Sequence, residues 1–379
     1  MIKVCHITSV HKWNDTRIFF KECVSLARAG YDVTLVAPNA PEATVEGVKV
    51  VAAKATSGSR IARATIVSAR VCAKAFRTKA KIVHFHDPEL IWVGLILRLF
   101  GRKVIFDIHE NIAAQIKVKQ WIPARNLVAK LYGIFDWIAA KCFYLVLAED
   151  SYLPIYDKLT KEKNVAIVLN LPDIAQFEKL APTVRSSSPN GILYIGGVTK
   201  VRGIFEMTEA IRLLKDRGID VHFHCVGPVS PGIIEQLEAT ETYREVKSSI
   251  TFYGPIPVYE AYRKAEVCKV GVSILHPIEN YLHSYSTKIF EYMATGLPFV
   301  VSDFGLYRFV EEKEVGLLVD PLDPESIAAQ IGRLLTDEQL WMRLSENGKR
   351  VVKSDYSWES QEAKLLRFYQ YIAPKSKNS

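Results

Sequence analysis

Two doubly wound α/β domains are the architecture this sequence predicts, and three observations carry the prediction. At 379 residues the chain is long enough for two domains of ordinary size. Strand-length apolar runs alternate with helically spaced segments along almost its whole length, the pattern of right-handed βαβ units around parallel sheets. The alternation pauses once, in the Ser/Pro-rich stretch 182–190, which has almost no apolar content and reads as a linker. With 49% apolar and 24% charged residues, disordered, collagenous and disulfide-scaffold classes are excluded.

In the first half, Ile2–Thr8 is an apolar strand and Ile18–Ala29 has helical spacing that stops at Gly30. Tyr31–Ala37 alternates with β-branched residues and ends at Pro38. Further strands are predicted at Ile82–Phe85, Val104–Phe106 and Tyr144–Leu147, with helices at Arg60–Arg77, Glu89–Phe100 and Ala124–Cys142. After the linker, strands are predicted at Ile192–Ile195, Val221–Val226, Ile250–Tyr253, Val270–Ile274, Phe299–Val301 and Gly316–Val319. The helices between them are Ile204–Arg217, Gly232–Thr240, Tyr259–Lys264, Thr287–Ala294 and Pro324–Thr336, the last with Asp323 as N-cap and Pro324 at the first helical position. The domains are thus 1–181 and 191–355, with 182–190 as linker and 356–379 as a C-terminal segment.

The formal charge of +8 is unevenly spread. Eleven basic residues and only Asp87 and Glu89 lie between Lys54 and Lys103, so this stretch carries +9 and the rest is near neutral. A localised basic patch suits a surface that meets something anionic. The six cysteines form no C-x-x-C pair and most sit among apolar neighbours, as buried thiols in a reducing compartment do. The N-terminus has no signal-peptide apolar region, and the longest apolar run, Leu90–Phe100, is too short to span a bilayer. The expectation is a soluble, cytoplasmic protein that touches a membrane at most.

In doubly wound sheets, ligands bind beyond the carboxyl ends of the strands, and two such domains facing each other would form a cleft. The loop after the first strand, Thr8–Arg17, contains no glycine where a dinucleotide site would have G-x-G-x-x-G. It is polar and basic. A substrate contact by Asn14, Asp15 and Arg17 stands beside the plainer reading that Asp15 or Thr16 caps the next helix. His84-Phe85-His86-Asp87 and Asp107-Ile108-His109-Glu110 end two neighbouring strands. Histidines there can bond a sugar hydroxyl or a phosphate, or simply be satisfied loop-end residues; without a spaced third ligand they are weak evidence for metal. In the second half, Gly196-Gly197-Val198-Thr199-Lys200-Val201-Arg202-Gly203 precedes a helix. Glycines admit close backbone approach, and a helix N-terminus with Lys200 and Arg202 suits a diphosphate. An ordinary Gly turn with solvated basic residues is the alternative. Ser286 and Thr287 open a helix that Gly296 closes, with Lys288 and Glu291 one turn apart; such a pair is commonly a solvated face.

The segment Ser286-Thr287-Lys288-Ile289-Phe290-Glu291-Tyr292-Met293-Ala294-Thr295-Gly296-Leu297-Pro298 resembles the donor-binding segment of glycosyltransferase family 4, the retaining, sugar-nucleotide-dependent transferases with the GT-B fold, and in particular bacterial surface-polysaccharide enzymes. The Gly196–Gly203 loop resembles that family's phosphate-binding loop. Tyr356-Ser357-Trp358-Glu359 resembles the start of its final segment, which crosses back to the first domain. The likeness covers most of the chain. It implies that Glu291 holds the donor ribose, that Arg202 clamps the diphosphate, and that Lys288 with backbone N–H groups near Ser286 and Thr287 serves the diphosphate or sugar. His109 then lies near the transferred sugar, and His86 with the Asn14–Arg17 loop faces the acceptor. Two positions depart from the family pattern: His283 replaces the usual first glutamate of Glu-x7-Glu, and Gly197 replaces an arginine that Lys200 would have to compensate.

The implied reaction is glycosyl transfer with retention by front-face attack, without a metal ion or cofactor, to a glycan or lipid-linked acceptor. A sugar-nucleotide epimerase on the same scaffold and a non-catalytic binder of anionic surfaces are the alternatives. An NAD-dependent oxidoreductase is disfavoured by the glycine-free first loop, and nucleic acid by the lack of any recognisable motif. The Arg60–Arg77 helix has five basic residues, no acid and an apolar face. It reads either as a domain helix with a solvated basic side or as a helix lying on an anionic inner membrane face.

Overall fold

The computed structural model describes residues 1–55, 62–109, 112–113, 116, 124–174, 177 and 190–373. The chain divides into two compact units, Met1–Asn170 with Trp358–Ser379, and Leu171–Ser357. Residues 182–189 of the expected linker lie outside the described residues.

The first unit is built on β1 (Lys3–Ile7), β2 (Asp32–Pro38), β3 (Ala43–Val45), β4 (Val48–Ala53), β5 (Ile82–Phe85), β6 (Lys103–Ile108), β7 (Tyr144–Leu147) and β8 (Val165–Ile167). Their order is β3-β4-β2-β1-β5-β6-β7-β8. Every pairing is parallel except β3 with β4. That hairpin and β8 escape the sequence reading. Glu46 and Gly47, at φ +49° and +80°, turn the hairpin as a two-residue loop of mirror-image geometry requires, but Glu is a rare residue there and gives no turn signal. The alternation reverses direction between β1 and β5, and the register sets His6 opposite His84.

One core layer of this unit includes Val71, Phe85, Val93, Leu97 and Leu145. The opposite layer brings Ile18, Leu26, Leu35 and Val146 together with Trp358, Leu365, Phe368, Tyr369 and Ile372 from the chain's end. The C-terminal helix, Trp358–Ile372, is thus an integral part of the first unit's core, and Trp358 Nε1 donates to Ser25 Oγ at 3.0 Å. The basic segment forms a helix over Arg63–Thr78, π-helical to Val67 and α-helical from Ser68. Val67, Val71, Cys72 and Ala75 bury its apolar face in the core, so that face is not available to a bilayer. Arg60 and Ile61 lie outside the described residues.

The second unit contains β9 (Gly191–Ile195), β10 (His222–Val226), β11 (Ile250–Phe252), β12 (Val270–Ser273), β13 (Phe299–Ser302) and β14 (Leu317–Val319), in the order β11-β10-β9-β12-β13-β14 and parallel throughout. The order reverses between β9 and β12, so the loops after these two strands flank the switch point at which such sheets bind ligands. The Pro324–Thr336 helix starts as expected, with Asp323 Oδ1 accepting from the Glu325 N–H at 3.0 Å. The Glu338–Asp355 helix is absent from the sequence reading.

Candidate functional site

In the second unit, Gly196 and Gly227 bring two strand ends into contact. Gly196 N–H donates to Val226 O at 2.7 Å. Both residues have positive φ, +145° and +139°, and a Cβ on Gly227 would lie 2.2 Å from Gly196 O. The loop can follow this path only while position 227 has no side chain. Gly227 has no flanking motif that would single it out in the sequence.

The cations gather beside Gly196. A Cβ there would lie 3.2 Å from Arg202 Nη1 and 3.3 Å from Lys288 Cε. Arg202 Nε donates to the Tyr281 hydroxyl at 3.3 Å. Lys288 Nζ lies 5.4 Å from the centre of the Tyr194 ring and 3.5 Å from Ser286 Oγ. Tyr194 in turn donates to Gly197 O at 2.8 Å. Burial, followed by the charge of Arg202, lowers the Lys288 pKa to about 8. The repulsion from Arg202 acts on Lys288 more strongly than the opposing charge of Glu291, an electrostatic arrangement that an anion relieves. Lys200 is exposed and opens the short 3-10 turn Lys200–Arg202, which Gly203 ends at φ +72° before the Ile204–Asp216 helix. Gly203 packs on Ile274, whose O would lie 2.8 Å from an added Cβ.

The Thr287–Thr295 helix supplies Lys288 and Glu291 and ends at Gly296 in the left-handed region, φ +71°. Its start differs from the sequence reading. Ser286 makes no side-chain cap; its Oγ pairs with Ser273 Oγ at 2.7 Å, and its N–H donates to the Tyr307 hydroxyl at 2.8 Å. The Ser286 N–H is therefore already engaged. Glu291 accepts from the buried Tyr262 hydroxyl. The Lys288–Glu291 pair is accordingly no solvated face: each member has a tyrosine beside it. Tyr194, Tyr262 and Tyr281 escape the sequence reading because each lies far along the chain from the residue it serves. His283 is exposed.

In the first unit, a buried polar network lies at the carboxyl ends of β1, β5 and β6. Asp107 is its centre. Arg17 grips it with two bonds, Nε to Oδ2 at 3.0 Å and Nη2 to Oδ1 at 2.9 Å. His109 Nε2 lies 2.6 Å from Oδ2, and His86 Nδ1 3.1 Å from the same oxygen. Burial works against the Asp107 charge, but Arg17 and then His109 outweigh it and hold the carboxyl well below its ordinary range. His86 Nε2 meets His6 Nδ1 at 3.0 Å. The Tyr369 hydroxyl bridges His84 Nδ1 at 2.8 Å and His6 Nε2 at 3.1 Å. Burial pushes the pKa values of His6, His84 and His86 down, against their charged forms. The loops after β1 and β5 are joined by Asp87, which accepts from Thr8 Oγ1 and Ser9 N–H, both at 2.7 Å.

These positions revise two expectations. Arg17 is only 3% exposed; it is an internal counter-ion for Asp107 and not an acceptor-facing side chain. His86 is likewise buried and acts behind His109. Asp15 takes the capping role, accepting from the N–H groups of Arg17 and Ile18. Asn14 is exposed and His109 half-buried. His6, Glu22, His84 and His86, or His86, Asp107 and His109, have the donor types and proximity to hold a metal ion. In the first set, hydrogen bonds already join His6 to His86 and His84 to Tyr369, and the Arg17 guanidinium stands 3.1 Å from Glu22, a cation where a second one would have to enter. In the second set, Arg17 and both histidines are already bonded to the Asp107 carboxylate.

Residues 189–337 match a family model described as glycosyl transferases group 1, and residues 21–141 one described as a glycosyl transferase 4-like domain. The chain is 33% identical over 300 residues to an MMP alpha-(1->4)-mannosyltransferase of Mycolicibacterium hassiacum, covering 75% of this chain and 69% of that one. It is 27% identical over 220 residues to a D-inositol 3-phosphate glycosyltransferase of Corynebacterium urealyticum, covering 52% of this chain and 50% of the relative, so it spans about half the length of that protein. In fold it is similar to the sucrose-phosphate synthase of Thermosynechococcus elongatus, with a TM-score of 0.75 at 18% identity over 98% of this chain and 99% of that one.

Proposed function

The chain belongs to glycosyltransferase family 4, and from that premise we propose that it moves a glycosyl group from a nucleoside-diphosphate sugar to a glycan or lipid-linked acceptor, with retention, in cell-surface polysaccharide synthesis. Its fold is GT-B. The observation that carries the reading is the pair of cations, Arg202 and Lys288, held beside the glycine backbone at Gly196 at the switch point of the second sheet. Glu291, on the same helix as Lys288, supplies the carboxylate for a ribose.

In the proposed reaction the bond between the anomeric carbon and the diphosphate oxygen breaks as the acceptor hydroxyl attacks the same face. The acceptor proton passes to the departing diphosphate. The anomeric carbon acquires oxocarbenium character, and the leaving charge is stabilised by Arg202 and Lys288, a task protein cations perform without a metal ion. His109 serves the sugar side, with its ring orientation set by Asp107. The basic stretch Lys54–Lys103 supports the lipid-linked alternative for the acceptor, since its charge suits an anionic membrane face.

A screen of nucleotide sugars tests this reading. The true donor raises the melting temperature, because it binds the folded state, and with an acceptor it yields a glycosylated product and free nucleoside diphosphate. Release of an altered nucleotide sugar without acceptor would instead identify an epimerase.

A further inference from the structure

A buried tyrosine from another helix holds Glu291. Tyr262, on the Val258–Arg263 helix, is 1% exposed, and its hydroxyl donates to Glu291 Oε2. Burial, and after it the Glu291 charge, pushes the phenol pKa well above its ordinary value. The hydroxyl therefore keeps its proton and the bond has one direction. Packing fixes the ring. Phe177 meets it edge-on with centroids 5.1 Å apart, and Tyr292 does so at 6.2 Å. Tyr292 is itself anchored: its hydroxyl lies 3.1 Å from Leu193 O and 3.3 Å from Val272 O. Its ring fills the space beside Gly271, where an added Cβ would lie 2.7 Å from Tyr292 Cδ2. Two adjacent residues of the Thr287–Thr295 helix are thus tied to different elements, Tyr292 to β9 and β12 and Glu291 to Tyr262.

One carboxylate oxygen is committed and the other is not. Among the described residues Glu291 Oε1 makes no hydrogen bond, and Glu291 is half-buried. An ionised carboxylate only accepts, at about four lone-pair sites. With Oε2 tethered, the sites on Oε1 are held in a fixed direction. Lys288 lies one turn earlier on the same helix, ~4.5 Å along its axis. The open oxygen is thus placed next to the cation pair as the ribose of a nucleotide is placed next to its diphosphate. A glutamate free to change rotamer would lose that freedom when a ligand bound; the tyrosine removes it beforehand, which favours binding. We propose that Tyr262 is a positioning residue that presets the Glu291 carboxylate for the paired hydroxyls of the donor ribose and so gives the site its preference for ribonucleotides. This role rests on the reading of Arg202, Lys288 and Glu291 as a donor site.

Isothermal titration of the full chain with nucleoside diphosphates, without an acceptor, tests the role of Tyr262. UDP, GDP and ADP are compared on the unaltered protein, and the tightest binder is carried forward beside its 2′,3′-dideoxy counterpart. The unaltered protein should bind the ribonucleotide about tenfold or more tightly than the dideoxy form. Tyr262→Phe keeps the ring and removes only the hydroxyl. It should lose about tenfold in affinity for the ribonucleotide and less than about twofold for the dideoxy form. In a Glu291→Ala background the same substitution should cost nothing further, because the two residues act as a pair. An equal loss for both nucleotides in Tyr262→Phe would mark a merely structural tyrosine and overturn the proposal. So would ribonucleotide affinity unchanged by Tyr262→Phe, a further loss in the Glu291→Ala background, or an unaltered protein that binds both forms equally. If none of the three diphosphates binds the unaltered protein, the donor-site reading fails and the role of Tyr262 falls with it. Nucleotide binding without the selective loss overturns the role of Tyr262 alone.

Discussion

Arg202 and Lys288 illustrate how two cations become a site at the residue scale. Each is exposed enough to meet a ligand and near enough to the other for repulsion to matter. Replacing Arg202 with Ala removes one electrostatic donor from the leaving group and should lower turnover by about 10²–10³, measured in steady-state assays with saturating donor. Lys288 adds a pH signature. Its pKa lies near 8 in the unliganded protein, and a diphosphate favours the ammonium form. Donor affinity should therefore be full below about 8 and fall as the pH rises through that value. In Lys288→Arg, whose charge persists across this range, the dependence of donor KM on pH should flatten. Asp107 makes the complementary case in the first unit. Asp107→Asn leaves Arg17 charged, buried and without its main partner, which should cost about 3–5 kcal/mol in urea denaturation. His84, His86, Asp87, Asp107 and His109 were legible as strand-end residues, but His6 was not, and neither was their hierarchy. Nothing local distinguishes Arg17, which is buried, from Asn14, which is exposed.

Elements place these residues. The loop after β9 depends on a glycine in the next strand's loop, since Gly227 lies against Gly196 O. Gly227→Ala should shift the Gly196 backbone and weaken donor binding while leaving the sheet intact. Isothermal titration with the donor, beside an unchanged circular dichroism spectrum, checks this. Strand and helix positions such as Ile82–Phe85, Tyr144–Leu147 and Pro324–Thr336 agree with the sequence reading, because buried parallel strands are unbroken apolar runs and Pro at the first helical position is a local signal. The β3–β4 hairpin was invisible because its turn uses Glu46, and the Ser286 cap failed because tertiary partners, Ser273 and Tyr307, claim that residue's atoms first.

At the scale of the whole molecule, the chain's end stabilises its beginning. Trp358, Leu365, Phe368, Tyr369 and Ile372 are buried in the first unit's core. Each contributes about 1.5–3 kcal/mol by burial, together comparable to the net stability of a domain, about 5–15 kcal/mol. Deleting 358–379 should abolish the first unit's unfolding transition in calorimetry while the Leu171–Ser357 unit retains its own. Tyr369 also bonds His6 and His84, so the same helix that completes the core completes the polar network behind His109.

The sequence by itself determined the α/β class, the order of most strands and helices, and the family, since apolar periodicity, helix-end chemistry and the segment around Lys288 and Glu291 are all properties of neighbouring residues. Only the tertiary structure decided which charges are internal, which tyrosines support the cations, and that the basic helix spends its apolar face on the core. Those outcomes depend on pairs far apart in the chain, such as Arg17 with Asp107, Tyr262 with Glu291 and Tyr369 with His6, and no local pattern encodes burial that a distant segment provides.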